Sequence, residues 1–290
     1  MQTLLDFIPR AYAASKTTEE THAAPGISGA TTTAPVAHSE APGIHISIKA
    51  EELFRIGDFP VTNGLFLSLI ILVFMGGGAM LLGRKLSLIP GKLQNAAEAI
   101  LGGTLSVMDN ILGSRRQSER YLPLIGTIFF VVLFSNWLGL FPGVGSIMLY
   151  EGNPPTGGAP LFRAPSSDLN FTLALAIVTV IATNILGAVA IGIGPHIGKF
   201  LNFRSPIGFF VGILEFVSEC ARIISFSFRL FGNIFAGEVL LVVISFLLPY
   251  LVPLPFYFLE VFVGFIQAFI FAMLALVFIG MAVQEHEAAH

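Results

Sequence analysis

Between Ile207 and Leu248 the chain is as apolar as a membrane span, yet it carries Glu215, Glu219, Arg222, Arg229 and Glu238. A charge at bilayer depth costs at least about 2.5–3.5 kcal/mol on insertion scales, and charges kept there mark ion or substrate paths. The chemistry open to this set is ionic. Carboxylates take up and release protons. A guanidinium, with a pKa above about 12, stays charged and cannot carry one. It can draw a passing carboxylate into its ionised form and repel a hydrated proton, which is what a seal between two proton paths requires.

The spacing sharpens this. With Glu215 as zero and about 100° per residue, Glu219 falls at roughly +40°, Arg222 at roughly −20°, Arg229 at roughly −40° and Asn233 back at about 0°. These five polar groups share a narrow stripe on one helix face, and Glu238 falls about 180° from Arg229, on the other. One helix over this stretch is about 60 Å long against a hydrocarbon core of about 30 Å, so it must tilt steeply or break. No proline lies between Ile207 and Leu248, which favours tilt.

Beyond a turn expected over Pro249–Pro255, the final span carries Glu260 and Gln267, seven residues apart and within about 20° of each other on a helix. Glu238 and Glu260 each stand eleven residues from Pro249, so antiparallel neighbours bring the two carboxylates to similar depth. Paired carboxylates can hold and pass a proton. About 20 Å of helix separates Glu215 from Arg229, and about 13 Å separates Arg229 from Glu238. Acids at each end with a guanidinium between them describe two aqueous inlets and a barrier.

The elements that position these groups read as an all-α membrane protein. The 290 residues are 54% hydrophobic and 11% charged, too apolar for one soluble core. Three segments follow: an Ala/Thr/Pro-rich flexible tail over 1–45, a membrane-embedded helical domain over 46–284, and a polar tail over 285–290. The first fifteen residues end in small residues like a signal-peptide cleavage site, and a short amphipathic anchor is the alternative. Ile46–Phe59 is expected to be ordered at the membrane surface.

Five spans are expected: Thr62–Gly83, Tyr121–Phe141, Leu169–Gly192, the charged helix, and Phe256–Val283. Gly76, Gly77 and Gly78 offer the first span a close approach to a neighbour. The amphipathic stretch 90–113 is expected at the interface or folded back as a shallow hairpin, closed by Arg115, Arg116 and Arg120. Trp137 suits an interfacial aromatic belt. Asp168 is placed as a helix N-cap, Asn184 as packing, Arg222 and Glu219 as a structural ion pair, and Cys220 as a small side chain in a buried helix. One cysteine excludes an intrachain disulfide, and six scattered histidines show no metal-ligand spacing, so neither metal nor cofactor is expected.

The loop after the first span holds six basic residues and that after the third holds Lys199 and Arg204, while the alternate loops hold Arg163 and none. The positive-inside rule then puts the N-terminus outside and the C-terminus in the cytoplasm.

The segment EFVSECARIISFSFRLFGNIFAGE, residues 215–238, resembles the signature helix of subunit a of rotary F-type ATP synthases. PVTN at 60–63, FSNWLGLFPG at 134–143, SDLN at 167–170 and QAFIFAML at 267–274 match the same family. The resemblance implies that Arg229 is the essential arginine facing the carboxylate of the c-ring. It implies an outer half-channel lined by Asn233, Glu238, Glu260 and Gln267, and a cytoplasmic one with Glu215, Ser218 and Glu219.

The implied partners are the c-ring, peripheral-stalk subunit b, the rest of the synthase and the lipid bilayer, with no nucleic acid. The chain holds no phosphate-binding loop, so it is expected to be a proton-channel subunit and not itself an enzyme. The family often places a histidine at one of the positions held here by Glu238 and Glu260, which leaves open which acid takes the proton first. The acidic tail points to a bacterial inner membrane, with the mitochondrial inner membrane as the alternative. A secondary transporter is the competing class; it calls for an internal repeat, and none is visible.

Overall fold

The computed structural model describes residues 50–84, 91–141, 143–144, 147–150, 158–192, 194, 198, 206–248 and 251–284. The two expected tails and the connection holding Lys199 and Arg204 lie outside them. An antiparallel hairpin, β1 (Glu52–Ile56) with β2 (Phe59–Thr62), occupies much of the segment expected at the membrane surface. It leads into α1 (Asn63–Arg84), followed by α2 (Lys92–Leu112) and α3 (Arg115–Gly139). A short second hairpin, β3 (Met148–Tyr150) with β4 (Gly158–Pro160), and a 3-10 turn over Pro165–Ser167 precede α4 (Leu169–Ile191). The chain then forms α5 (Pro206–Leu247) and α6 (Pro253–Gln284).

Helices α1, α3, α4, α5 and α6 are each long and apolar enough to cross a membrane. The five expected spans are therefore present, with shifted ends. α3 starts six residues before Tyr121, because Gly113 terminates α2 in the left-handed region (φ 69°) and bonds its N–H to the Asp109 carbonyl at 2.9 Å. The basic residues expected to close the amphipathic stretch instead form the first turns of α3. The stretch itself is one continuous helix over Lys92–Leu112, with no reversal inside it. α6 begins at Pro253, inside the expected turn. Proline suits a first helical turn, where no intrahelical partner awaits its missing N–H. α5 is a single helix of 42 residues.

α6 lies at the centre, packed against α3, α4 and α5. It buries Ala268, Phe271, Ala272, Ala275, Leu276 and Ile279, a run at helical spacing whose alanines let neighbouring helices approach. α5 contributes Phe226, Leu230 and Ile234, and Phe226 meets Phe271 edge to face with centroids 4.7 Å apart. The outer faces are apolar too: Leu72, Val73, Ile181, Phe210 and Phe262 are all exposed. Such a surface suits lipid, in which apolar groups lose nothing by facing outward. The Gly76–Gly78 run makes no close approach, since a methyl group added to any of the three would meet no atom within 4 Å. Cys220 is exposed on α5 and not buried, because only one face of that helix is covered.

Candidate functional site

α5 is covered on one side only. Its buried face, with Phe226, Ser227, Leu230, Ile234 and Gly237, packs on α4 and α6, and Ser227 shares a 3.2 Å hydroxyl contact with Thr172 of α4. The opposite face exposes Ser218, Ala221, Ser225, Gly232, Asn233 and Ala236 around Arg229. The Arg229 guanidinium donates to Ser225 Oγ one turn earlier at 3.1 Å, so it is held along its own helix and presented outward. The small neighbours leave its charge unobstructed from that side.

Toward the N-terminal end of α5, Glu215 is half-buried and Ser218 is exposed. Glu219 is engaged on both oxygens. Arg222 Nη1 donates to Oε1 at 2.7 Å, and Asn184 Nδ2 of α4 donates to Oε2 at 3.1 Å. The Arg222 guanidinium also lies 3.9 Å from the ring centroid of Phe278 on α6. The ion pair thus ties three helices together, Glu219 joining α4 through Asn184 and Arg222 joining α6 through a cation–π contact. Asn184, expected as mere packing, is part of this network; its partner comes from a helix distant in sequence and could not be read from spacing.

At the other end of α5 a cavity of about 610 Å³ opens between α3, the 160–164 loop, α5 and the start of α6. Glu238 lines it, together with Glu51, Asn63, Asn136, Arg163 and Tyr257. Glu260 does not reach the cavity wall. It is buried behind Glu238, its carboxyl group against the backbone of Gly237, in space that any side chain there would fill. Gln267 is buried two turns further along α6, and Asn233 is exposed on the far face of α5; neither lines the cavity. The structure thus brings Glu238 and Glu260 together, while Asn233 and Gln267 are not among the residues that line the cavity.

Four buried side-chain oxygens around this end have no hydrogen-bond partner: Glu51 Oε2, Asn136 Oδ1, Glu238 Oε2 and Glu260 Oε1. Buried polar atoms are ordinarily satisfied, and unpartnered acceptors such as these are places for protons or bridging water. Asn136 is anchored by donating to the Gly264 carbonyl at 2.8 Å, and Trp137 donates to the Val261 carbonyl at 3.0 Å. These two bonds dock the end of α3 on α6. Asp168 caps α5's neighbour α4 by accepting from the Asn170 N–H at 2.9 Å, as its position before Leu169 predicts.

Arg163 was visible in the sequence as the lone basic residue of its loop, but only the fold shows it to be buried and 4.0 Å from Glu238. Glu51 and Asn63 gave no sequence signal as cavity residues, because hairpin β1–β2 delivers them from a segment far from the charged helices. Among the described residues no three His, Cys, Asp or Glu side chains gather to hold a metal.

Membrane-spanning helices that carry a cation on an open face and carboxylates inside the bundle make this an ion-handling membrane protein. The chain belongs to the ATP synthase A chain family, which its residues 65–280 match. It is 39% identical over 207 residues to ATP synthase subunit a of Campylobacter jejuni subsp. doylei, covering 70% of this chain and 82% of the relative. To ATP synthase subunit a of Campylobacter curvus it is 35% identical, over 81% of this chain and the whole of the relative. With that of Aliarcobacter butzleri it shares 36% identity, over 70% of this chain and 82% of the relative. The family is a membrane component of the synthase and takes part in proton transport and ATP synthesis.

Proposed function

We propose that this chain is the proton-translocating stator of a rotary ATP synthase in a bacterial inner membrane, with its N-terminus outside and its C-terminus in the cytoplasm. Arg229 faces the carboxylates of a rotating c-ring. Protons from outside enter the cavity, pass Glu238 and Glu260 within an outer half-channel that also holds Asn233 and Gln267, and neutralise a ring carboxylate. After the ring has turned through lipid, the proton leaves past Glu215, Ser218 and Glu219. Arg229 keeps the two half-channels apart, because a permanent cation repels a migrating proton while it draws the ring acid into its ionised form. The turning ring serves ATP synthesis elsewhere in the complex, and subunit b holds this chain still against it.

The observation that carries this reading is the place of Arg229. It sits near the middle of a 42-residue helix, on the exposed face lined with small residues, hydrogen-bonded along its own helix. In inverted membrane vesicles carrying the assembled synthase, Arg229→Ala should abolish ATP-driven proton pumping and leave the amount of assembled complex unchanged. Pumping at the normal rate in that variant would overturn the reading.

A further inference from the structure

We infer that Arg163 is a positioning residue for proton transfer, clamping Glu238 at the cavity wall with its free oxygen turned toward Glu260. The inference rests on reading α5 and α6 as the outer proton path, and gives that path a second functional arginine.

Arg163 is only 7% exposed, and its loop is pinned on every side. Leu161 N–H bonds to the Ile147 carbonyl at 2.8 Å, and Asn63 Nδ2 donates to the Pro160 carbonyl at 3.3 Å. Ala164 lies against Gly139 of α3 so closely that a side chain at 139 would collide with it. The Ser167 N–H closes the 3-10 turn onto the Ala164 carbonyl at 3.0 Å. Within this frame Arg163 Nε donates to Ser167 Oγ at 3.1 Å, and Nη2 to the Ser167 carbonyl at 3.4 Å. The guanidinium has little freedom left.

Its Nε lies 4.0 Å from Glu238 Oε1, whose side chain is 41% exposed to the cavity. The second oxygen of that carboxylate, Oε2, is buried and without a partner. The residue before it is Gly237, against which the Glu260 carboxyl group rests with its own Oε1 unpartnered. One oxygen of Glu238 thus lies at ion-pair range, 4.0 Å, from a guanidinium whose Nε–H is given to Ser167 Oγ, and the two orphaned oxygens belong to neighbouring acids. A glutamate left free on the wall of a cavity this size would sample several rotamers. The arginine selects one, and preorganisation of that kind is where a proton relay gains its rate. A proton taken up by Glu238 from cavity water moves to Glu260, and Arg163 keeps its own protons throughout.

The test uses the whole synthase in inverted vesicles and compares ATP-driven pumping per assembled complex. Arg163→Gln should lower pumping at least about tenfold, and Arg163→Lys, which restores a cation, should recover at least about a third of the normal rate. In a Glu238→Asp background, where the acid is a methylene shorter and already displaced from the clamp, Arg163→Gln should cost less than about threefold more. The inference is overturned if Arg163→Gln pumps normally, if Arg163→Lys assembles but stays as slow as Arg163→Gln, or if the losses with Glu238→Asp multiply in full. If Arg163→Gln does not assemble, the Arg163→Lys variant decides alone. Normal pumping by Glu238→Gln would instead sink the proton-path reading itself.

Discussion

The carboxyl group of Glu260 on α6 rests against the bare backbone of Gly237 on α5, beside Glu238. The contact exists because position 237 has no side chain. Gly237→Ala places a methyl group where the carboxyl group lies, and overpacking of this kind costs about 1–3 kcal/mol. Displacing Glu260 should slow ATP-driven pumping at least about tenfold, a barrier increase of about 1.4 kcal/mol. Shortening the acid in the same chain, Glu260→Asp, should recover part of the rate. A Gly237→Ala synthase that pumps normally would show that the close approach is not needed.

The Asn184–Glu219–Arg222–Phe278 network holds α4, α5 and α6 at the other end of the site. Glu219→Gln leaves the Arg222 guanidinium without its acid, and breaking a buried pair costs about 3–5 kcal/mol, less where the groups are partly open to their surroundings, as here. The thermal midpoint of the purified protein in detergent should fall. The double variant Glu219→Gln/Arg222→Gln should lie closer to the parent than the single one, with a coupling of about 1–3 kcal/mol. Additive losses would mean that the two side chains act separately.

The turn between α2 and α3 has its own charge lock. The Ser118 hydroxyl and the Arg115 guanidinium, whose Nη1 is 2.9 Å from Asp109 Oδ2, hold the Asp109 carboxyl below its ordinary value of 3.8. A depressed carboxylate contributes stability above its unfolded value, and that contribution fades as pH falls through the lower folded value. Asp109→Asn should therefore lower the thermal midpoint at neutral pH, and the gap to the parent should close as the pH drops below about 4. A gap that stays constant into acid would remove the ionised carboxylate from the explanation.

Trp137 is the only tryptophan of the chain and donates to the Val261 carbonyl across the α3–α6 contact. Its emission reports that docking. A side chain added at Gly264 would press on Asn136, 3.1 Å from its Cβ. Gly264→Val should separate α3 from α6 and shift the emission of the purified chain, whereas a change at the open Gly102 should leave it in place. An unaltered spectrum in Gly264→Val would place Trp137 outside the docking contact.

The spans, the charged stripe and the Asp168 cap are legible in the sequence because hydropathy, helical spacing and capping are local. What escaped the sequence is non-local. Arg163 and Glu238 stand 75 positions apart, and only the folded chain, with the 165–167 turn packed on α5, brings them together. Asn184 reads as packing until α5 supplies Glu219. The glycine run at 76–78 looks like an interface, yet no other part of the described chain approaches that turn of α1, and spacing alone cannot name a helix's neighbour. The start of α3 is not legible because three arginines resemble the end of an interfacial segment, while the left-handed backbone at Gly113 is what divides the two helices.

Between the ionic network at one end of α5 and the acid-lined cavity at the other lies a layer of Phe226, Leu230, Ile234 and Phe271, all buried. Among the described residues it stands between the two ends on the buried face of α5, interrupted by the Ser227–Thr172 hydroxyl pair. A lone copy in the bilayer should therefore behave as an electrical insulator. A cell that makes surplus copies ahead of their partners would keep its membrane voltage.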